Sequence, residues 1–356
     1  MPVEIVSSKH VEQEYEGLLA ESGDAVFHHT LLWRDVLRDV LADEAVYLAL
    51  RIDGDVRAVL PGFIHTGAEG GVYNSLPWSG SYGGVVAGRG VDREDAARRL
   101  VTAARELAAE QGCIAANIIG SPRADDCEAY ASAWAPEFVR SRVSQITYLD
   151  RDLCFSPSVR NHIRKAEGMG LDIDDCMDVS ELPEFCDLHS RSCGAAGHAA
   201  KPLSFFVSLY GRGVPGGQAR FMAARHEGRM VAALVLLVGF GGVTVHEIVM
   251  ERESRHLQGP SLLLARALDW ARDSGCAYWN WGASNPGSGV YNFKRAWGTK
   301  DVPYGYYTTL FCPPARLCEM GIDRLAEMFP WYYVAPFDAV RATREAALQA
   351  QGAERS

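Results

Sequence analysis

The chain has 356 residues, of which 48% are apolar and 22% charged, and its formal net charge is −10. This length predicts about two domains of roughly 100–200 residues each, and the composition is typical of a globular protein with a sizeable core. The negative charge argues against a protein coated with phosphate-binding residues, although it allows a local basic groove. The N-terminus lacks a signal-peptide pattern, and no run approaches the roughly 20 apolar residues of a membrane helix. We therefore expect a cytoplasmic protein without a membrane span.

The cysteines give no sign of a metal site. There are nine of them, an odd number, and none forms a C-x-x-C pair. A disulfide framework or a zinc site would show paired spacings. We therefore expect small buried hydrophobic residues, with no metal and no cofactor.

In the first half of the chain, the spacing of apolar residues predicts helices and strands in alternation. An acidic-Gly pair follows the first strand and predicts a hairpin. A glycine-rich loop then precedes a helix and a strand. The predicted elements are helices over 1–45, a hairpin over 47–64, the loop over 75–84, a helix over 92–111, and strands at 114–119 and 144–149.

We place a domain boundary near residue 150. Ser156-Pro157-Ser158 then predicts a capped helix, since proline is accepted in a first turn. A second hairpin and a second helix-strand pair follow, and the chain ends in a helical tail. The predicted elements are helices over 159–168, 182–195 and 262–273, strands at 219–227, 230–240, 243–251, 277–281 and 304–311, and the tail over 313–347.

The two halves repeat one pattern. Residues 47–54 return as 221–228, each turning at an acidic residue followed by glycine. In both halves a helix then ends at Gly-Cys, and the next strand carries an asparagine, Asn117 or Asn280. Two matches in the same order predict a duplicated α/β unit.

Four motifs together resemble the Fem-type (FemAB-like) peptidyltransferases, which contain two acetyltransferase-like (GNAT) domains. The resemblance covers about residues 25–312 and implies an α/β (α+β) fold. It implies a mixed, mostly antiparallel sheet flanked by helices in each of two domains, 1–149 and 150–312, with a tail at 313–356. The motifs are Leu76-Pro77-Trp78 with Tyr82-Gly83-Gly84, the stretch from Arg160 to Gly170, the helix after Gly259-Pro260, and Trp281-Gly282 with Phe293-Lys294-x-x-Trp297-Gly298.

The resemblance implies transfer of an aminoacyl group from aminoacyl-tRNA to an amine. It assigns Lys294 to the channel where donor and amine meet, with Phe293 shaping that channel. An ammonium group there would stabilise the oxyanion that forms when an ester is attacked. Without the resemblance, a lysine that merely caps its helix is the simpler interpretation.

Further donor-binding candidates surround this motif. Arg160 and Arg164 could contact phosphates, and Trp281 and Tyr291 could stack on a terminal adenine. Asn292 lies in the same motif. Trp279 and Trp281 share one side of their strand, so core packing explains both equally well. The basic residues expected to line one groove are Arg160, Arg164, Lys165, Lys294, Arg295 and Lys300.

Proton transfer needs a base near Lys294. Strand alternation allows only one of His246 and Glu247 to face a cleft, and we prefer Glu247. A surface glutamate is the alternative, and His189 is a further candidate. In the first half, Trp78 and Tyr82 lie on the loop where the family binds its acceptor, although any tight turn can contain such residues.

The loop before the helix at 262–273 also bears on the identity of the acyl donor. A CoA-dependent GNAT enzyme grips pyrophosphate with backbone N–H groups at this position. Here the loop contains Pro260, which has no N–H, and His256 stands where Arg or Gln is expected. An acyl-CoA-dependent N-acyltransferase and a catalytically silent GNAT pair that only binds remain as alternatives.

The acceptor is less defined by the sequence. A charged heptad segment, expected for the helical arm of longer peptidoglycan enzymes, is not evident. We therefore expect a compact enzyme whose acceptor is a small-molecule amine, as in antibiotic biosynthesis, or a peptide precursor.

Overall fold

The computed structural model describes residues 3–7 and 12–353. These residues form two compact units. The first unit contains Met1–Arg34, Leu41–Arg142 and Tyr304–Ser356, and the second contains Asp35–Val40 and Val143–Pro303. Within the described ranges, every helix is too short or too polar to cross a membrane.

The limits of the two units differ from the domain boundaries expected near residues 150 and 312. The limits at 142/143 and 303/304 fall inside two continuous strands, Phe138–Tyr148 and Lys300–Leu310. A boundary inside a strand carries no Gly- or Pro-rich linker that a sequence could reveal. The tail after residue 312 belongs to the first unit.

The first unit contains a sheet in the order β1-β2-β3-β4-β6-β13, with β5 paired to β3. The first strand, β1, corrects the prediction that residues 1–45 form only helices. The strands are β1 Val3–Ser7, β2 Ala45–Ile52, β3 Asp55–Gly67, β4 Gly70–Asn74, β5 Val86–Ala87, β6 Cys113–Ile119, and the first part of β7 Phe138–Tyr148 with the later part of β13 Lys300–Leu310. The helices are α1 Glu12–Glu21, the two ends of α2 Leu31–Leu41, whose residues Asp35–Val40 belong to the second unit, α3 Arg93–Glu110, α4 Cys127–Ala129, α10 Pro314–Met320, α11 Ile322–Met328 and α12 Phe337–Ala353.

Helix α3 covers one face of this sheet. Asp92 caps it by accepting a hydrogen bond from the N–H of Asp95, which satisfies one of the free donors of the first turn. Its apolar residues recur at helical spacing and include Leu100, Val101 and Leu107, all buried. These residues pack against β2, β3, β4 and β6 to form the core of the unit.

The second unit contains a sheet in the order β7-β12-β11-β10-β9-β8. Helix α7 in this unit was not expected from the sequence. The strands are β8 Asp172–Asp174, β9 Ala219–His226, β10 Arg229–Gly239, β11 Gly242–Met250 and β12 Tyr278–Ser284. The helices are α5 Pro157–Glu167, α6 Leu182–Ala196, α7 Leu203–Gly213, α8 Gly259–Asp273 and α9 Gly289–Arg295. The core lies between the sheet and α8, just as the core of the first unit lies between its sheet and α3.

The repeated segment has the same strand pairing in both units. In the first hairpin Leu48 faces Leu60, and in the second Met222 faces Leu234. Both hairpins have an irregular register next to the turn. In each unit a parallel pair follows, β4 with β6 and β11 with β12. The duplicated α/β pattern read from the sequence therefore corresponds to two units of like topology.

A glutamate on a helix closes each hairpin in the same way. In the first unit Glu14 binds Arg51 at 2.7 Å and accepts the N–H of Val56 at 3.3 Å. In the second unit Glu184 binds Arg225 at 2.8 Å and accepts the N–H of Met230 at 3.0 Å.

This Glu–Arg clamp depresses the pKa of both carboxyl groups. For Glu14 the main cause is the hydrogen bond from Arg51. For Glu184, burial tends to raise the pKa, but Met230 and Arg225 outweigh burial and hold it below its usual value. The carboxylate therefore accepts a backbone N–H close to the turn of each hairpin.

The clamp predicts a difference between two substitutions of Glu184. Glu184→Ala leaves the Met230 N–H without an acceptor and should lower the free energy of unfolding by about 1–3 kcal/mol. Glu184→Gln keeps an acceptor and loses only the charge, so its loss should be smaller. Urea unfolding followed by circular dichroism measures both, and equal stability of all three proteins would contradict the role of the clamp.

Candidate active site

The second unit contains a cavity of about 400 Å³. Its walls come from the end of β11, the start of α8, and single side chains of α5, α6 and α9. Ile248 and Met250 supply apolar surface, and His162, Arg255 and Gln258 supply polar groups. A cleft with apolar walls and a few converging polar groups is the usual form of a binding site.

The cavity lies beside a strand pair that separates early. Strands β11 and β12 are paired over only three positions, from Gly242 with Tyr278 to Thr244 with Asn280. Beyond them β12 is irregular, and Gly282 has a left-handed φ of 74°. The side chain of Asn280 accepts the N–H of Gly282 at 2.8 Å, which fixes this turn of the backbone.

A β-bulge on β11 changes which side chains share a face. Val235 of β10 faces Glu247, but the next residue, Leu236, faces Val245, so His246 is the extra residue. Strict alternation therefore fails here. The ring of His246 lies 5.4 Å from that of Phe205, and Glu247 contacts α6, so both side chains meet the helices on one face. The bulge therefore removes the basis for expecting only one of His246 and Glu247 to face a cleft, and neither residue is part of the wall of the 400 Å³ cavity.

The start of α8 is poor in N–H donors for a phosphate group. Pro260 has none, and the N–H of Ser261 donates to the carbonyl of Gln258 at 3.0 Å. An ordinary helix start leaves four N–H groups free. Gln258 itself has a left-handed backbone conformation, with φ of 58°.

Lys294 points inward, toward β12. Its Nζ donates to the carbonyl oxygens of Gly282 at 3.2 Å and Ala283 at 3.0 Å. Burial lowers the pKa of Lys294 to about 8, because the charged form loses hydration. The lysine is therefore mostly an ammonium group at neutral pH and loses its proton in the weakly basic range.

Glu247 is held by two basic groups. Lys201 contacts one carboxylate oxygen, and the Nε2 of His189 lies 3.4 Å from the other. Burial tends to raise the pKa of Glu247, but Lys201 and His189 lower it to about 2. Burial lowers the pKa of His246 to about 3, with Lys201 adding to the effect. At neutral pH this cluster contains a carboxylate and a neutral His246.

The predicted donor residues are divided between surface and interior. Phe293 lines the cavity and is 37% exposed. Arg160 and Arg164 are exposed on α5, where Arg164 donates to Asn161 at 3.3 Å. Asn292 is exposed on α9.

Trp281 and Tyr291 are parts of the core. The Trp281 ring lies 5.9 Å from that of Trp279 and 5.4 Å from that of Trp297, and its Nε1 donates to Thr147 at 2.9 Å. Tyr291 donates to Asp301 at 2.5 Å. Both side chains are buried, so their rings pack within the unit and are not exposed for stacking on a base. Trp279 and Trp281 are both buried in the core, as the alternative interpretation of these residues expects.

The two predicted acceptor residues also differ in position. Trp78 lines a smaller cavity in the first unit. Tyr82 is buried, with its ring 5.3 Å from both His28 and Tyr304. Tyr82 therefore packs inside that unit and does not line the cavity.

Two polar residues of the second unit were missed by the sequence analysis. Lys201 reaches Glu247 from the segment before α7, 46 positions away in the chain. Gln145 is buried on β7, donates to the carbonyl of Tyr291 at 3.2 Å and accepts from Ser284 at 2.5 Å. Neither residue belongs to a local motif, so only the tertiary fold reveals them.

The pKa of Lys294 predicts how the stability of the protein changes with pH. The folded chain releases this proton near pH 8, whereas the unfolded chain keeps it until about pH 10.4. Between these values the unfolded state binds more protons, so Lys294 adds to the free energy of unfolding as the pH rises. Comparing urea unfolding of wild type and Lys294→Met from pH 7 to 10.5 isolates this contribution. Parallel curves for the two proteins would contradict a lowered pKa.

The comparison with solved structures gives the fold. FemX covers 86% of this chain and 97% of its own, with a TM-score of 0.66 and 14% identity. A tandem GNAT protein from the clavulanic acid biosynthesis pathway covers 88% and 99%, with a TM-score of 0.56 and 16% identity. The C-terminal domain of a putative lysylphosphatidylglycerol synthetase from Agrobacterium fabrum covers 92% and 99%, with a TM-score of 0.56 and 13% identity.

Sequence comparison identifies the domain. No curated protein matches the chain. Residues 156–295 match the acetyltransferase (GNAT) domain family, and this range contains the 400 Å³ cavity and Lys294. The expected tandem GNAT fold and its resemblance to the Fem-type proteins are confirmed. The chain is thus similar in fold to FemX and to tandem GNAT proteins, and its residues 156–295 match the acetyltransferase (GNAT) domain family.

Proposed function

We propose that this acyltransferase moves an aminoacyl group from aminoacyl-tRNA to an amine of a small molecule or of a peptide precursor. The observation that carries the proposal is the start of α8, where Pro260 and the engaged N–H of Ser261 leave few donors for a pyrophosphate. Such a site favours a donor that is bound mainly by other parts of the protein. Aminoacyl-tRNA is such a donor, and it would be met in the cytoplasm.

The surface of α5 supports a nucleic-acid donor. Arg160, Arg164 and Lys165 are exposed on this helix, and His162 of the same helix lines the cavity. Lys165 follows His162 by three positions and shares its face of α5, whereas Arg160 and Arg164 lie two positions away on either side and share another face. Exposed cations of this helix can hold the phosphates of RNA, while the chain as a whole stays acidic. Phe293, exposed at the same cavity, offers a ring on which a base can stack.

Lys294 is the proposed catalytic residue of the transfer. The amine attacks the ester carbonyl, the new C–N bond forms, the ester C–O bond breaks, and the ribose hydroxyl leaves with a proton. An ammonium group fixed by Gly282 and Ala283 would stabilise the oxyanion between these steps. Because its pKa is about 8, Lys294 would also be able to deliver a proton to the leaving oxygen.

Glu247 is proposed to accept the proton of the attacking amine. Its carboxylate is ionised at neutral pH, but a pKa of about 2 makes it a weak base while Lys201 holds it. An incoming amine that displaces Lys201 would raise this pKa, since the neighbouring positive charge would be removed. The proposal therefore requires Lys201 to move when the acceptor binds.

The donor is tested with a defined reaction mixture. The enzyme is incubated with charged tRNA and candidate amines, and new amides are identified by mass. Ribonuclease treatment followed by removal of the short aminoacylated ends should abolish product. The same mixture with acyl-CoA and no RNA is the control, and full activity in that control would falsify the tRNA-dependent assignment.

Lys294→Ala should reduce turnover about a hundredfold and leave the fold intact, because loss of one oxyanion donor has an effect of this size. Lys294→Arg is the matched variant, since it keeps the positive charge and should retain part of the activity. Initial rates at saturating donor measure the effect. Unchanged turnover of the alanine variant would remove Lys294 from the mechanism, and loss of folded protein would indicate a structural lysine.

A further inference from the structure

The first unit has a cavity of about 220 Å³ whose wall is partly built by the C-terminal tail. The ends of β4 and β6 and the middle of β13 form one side, and residues 331–333 form the other. The family match at 156–295 does not include this region. Aromatic side chains dominate the lining, among them Trp78, Tyr306 and Trp331.

The tail is held here through its main chain. Tyr333 donates its N–H to Asn74 at 2.9 Å, and its carbonyl accepts from Asn74 at 2.9 Å and from Asn117 at 2.6 Å. Asn117 is itself fixed by a hydrogen bond from Thr308 at 2.7 Å. Tyr332 adds a side-chain anchor, since its hydroxyl donates to Asp43 at 3.0 Å. The rings of Trp331 and Tyr333 remain available to form the cavity wall.

Two tryptophans at this cavity have strained backbones. Trp78 has φ of 83° and Trp331 has φ of 70°, values that bulky residues rarely adopt. The N–H of Trp78 donates to the carbonyl of Trp331 at 2.9 Å, and the two ring centroids lie 4.3 Å apart. Strain of this kind costs about 1–3 kcal/mol per residue and is concentrated at ligand sites. It therefore points to a function for the paired rings.

The polar groups around the cavity suggest how a ligand would be oriented. The amide of Asn74 is occupied by Tyr333 and by the carbonyl of Tyr73. Charges of both signs lie around the lining, because Arg140 pairs with Asp338 at 3.6 Å and Asp43 accepts from the Tyr332 hydroxyl at 3.0 Å. An uncharged ring would meet aromatic surface inside, whereas an ammonium group keeps its hydration only at the mouth of the cavity.

We propose that this cavity binds the planar ring of an aromatic amine, with the amine directed outward. A dry cavity of about 150 Å³ holds benzene, so 220 Å³ suits a substituted phenyl or an indole ring. The role of this amine as the acceptor rests on the proposed function. The binding itself does not depend on it.

Calorimetric titration without any donor tests the binding, with tryptamine as the probe and hexylamine as a non-planar amine of similar charge. Tryptamine should bind at least tenfold more tightly than hexylamine. Equal affinities, or no binding of tryptamine, would overturn the proposal.

Two variants test the site of binding. Trp331→Gly removes the ring, and glycine adopts a positive φ without strain, so tryptamine affinity should fall at least tenfold in a protein whose circular dichroism spectrum is that of the folded wild type. Ser79→Trp, at an exposed position of the cavity lining, should block binding without disturbing the core. Trp270→Ala, in the second unit, is the control for loss of a tryptophan and should bind normally.

The outcomes separate the two proposals. Wild-type affinity in both cavity variants would show that tryptamine binds elsewhere and would overturn the inference. Tight binding of tryptamine without amide formation in the complete reaction would instead reject the acceptor role and leave the cavity as a binding site.

Discussion

The early separation of β11 from β12 is the constraint on which the candidate site depends. Only three residue pairs join these parallel strands before the bulge at His246 and the left-handed Gly282 draw the backbones apart. The separation leaves the carbonyls of Gly282 and Ala283 available to Lys294. Without it, strand hydrogen bonds would occupy the edge that borders the cavity.

The first unit keeps its corresponding strand pair closed. Ser75 extends the pairing of β4 with β6, donating its N–H to Asn117 at 2.9 Å and accepting the N–H of Ile119 through its hydroxyl at 2.8 Å. Ser75 thus makes the two hydrogen bonds that one additional strand residue would make. Two units of like topology therefore differ in their clefts because of a few local hydrogen bonds.

The sequence predicts best what is local. Both hairpins follow from an acidic-Gly turn between apolar strands, and the helix α5 follows from the cap at Ser156 with Pro157 in its first turn. The duplication and the tandem fold could be read from these signals.

Features that need distant partners were not predictable. The burial of Trp281 results from packing against Trp279 and Trp297, and strand alternation alone cannot distinguish a core face from a cleft face. The bulge at His246 has no sequence signal of its own, so the positions of Glu247 and Lys201 could not be foreseen. The aromatic tail segment is anchored by asparagines more than 200 residues earlier.

The division of the chain also determines the order in which the protein can be completed during synthesis. The second unit consists of Asp35–Val40 and the continuous stretch Val143–Pro303, so all its residues have been made before the last fifty. The first unit includes residues after 303, and its sheet needs β13 beside β6. Although domains usually fold from the N-terminus onward, here the unit that begins the chain must wait for the unit that follows it.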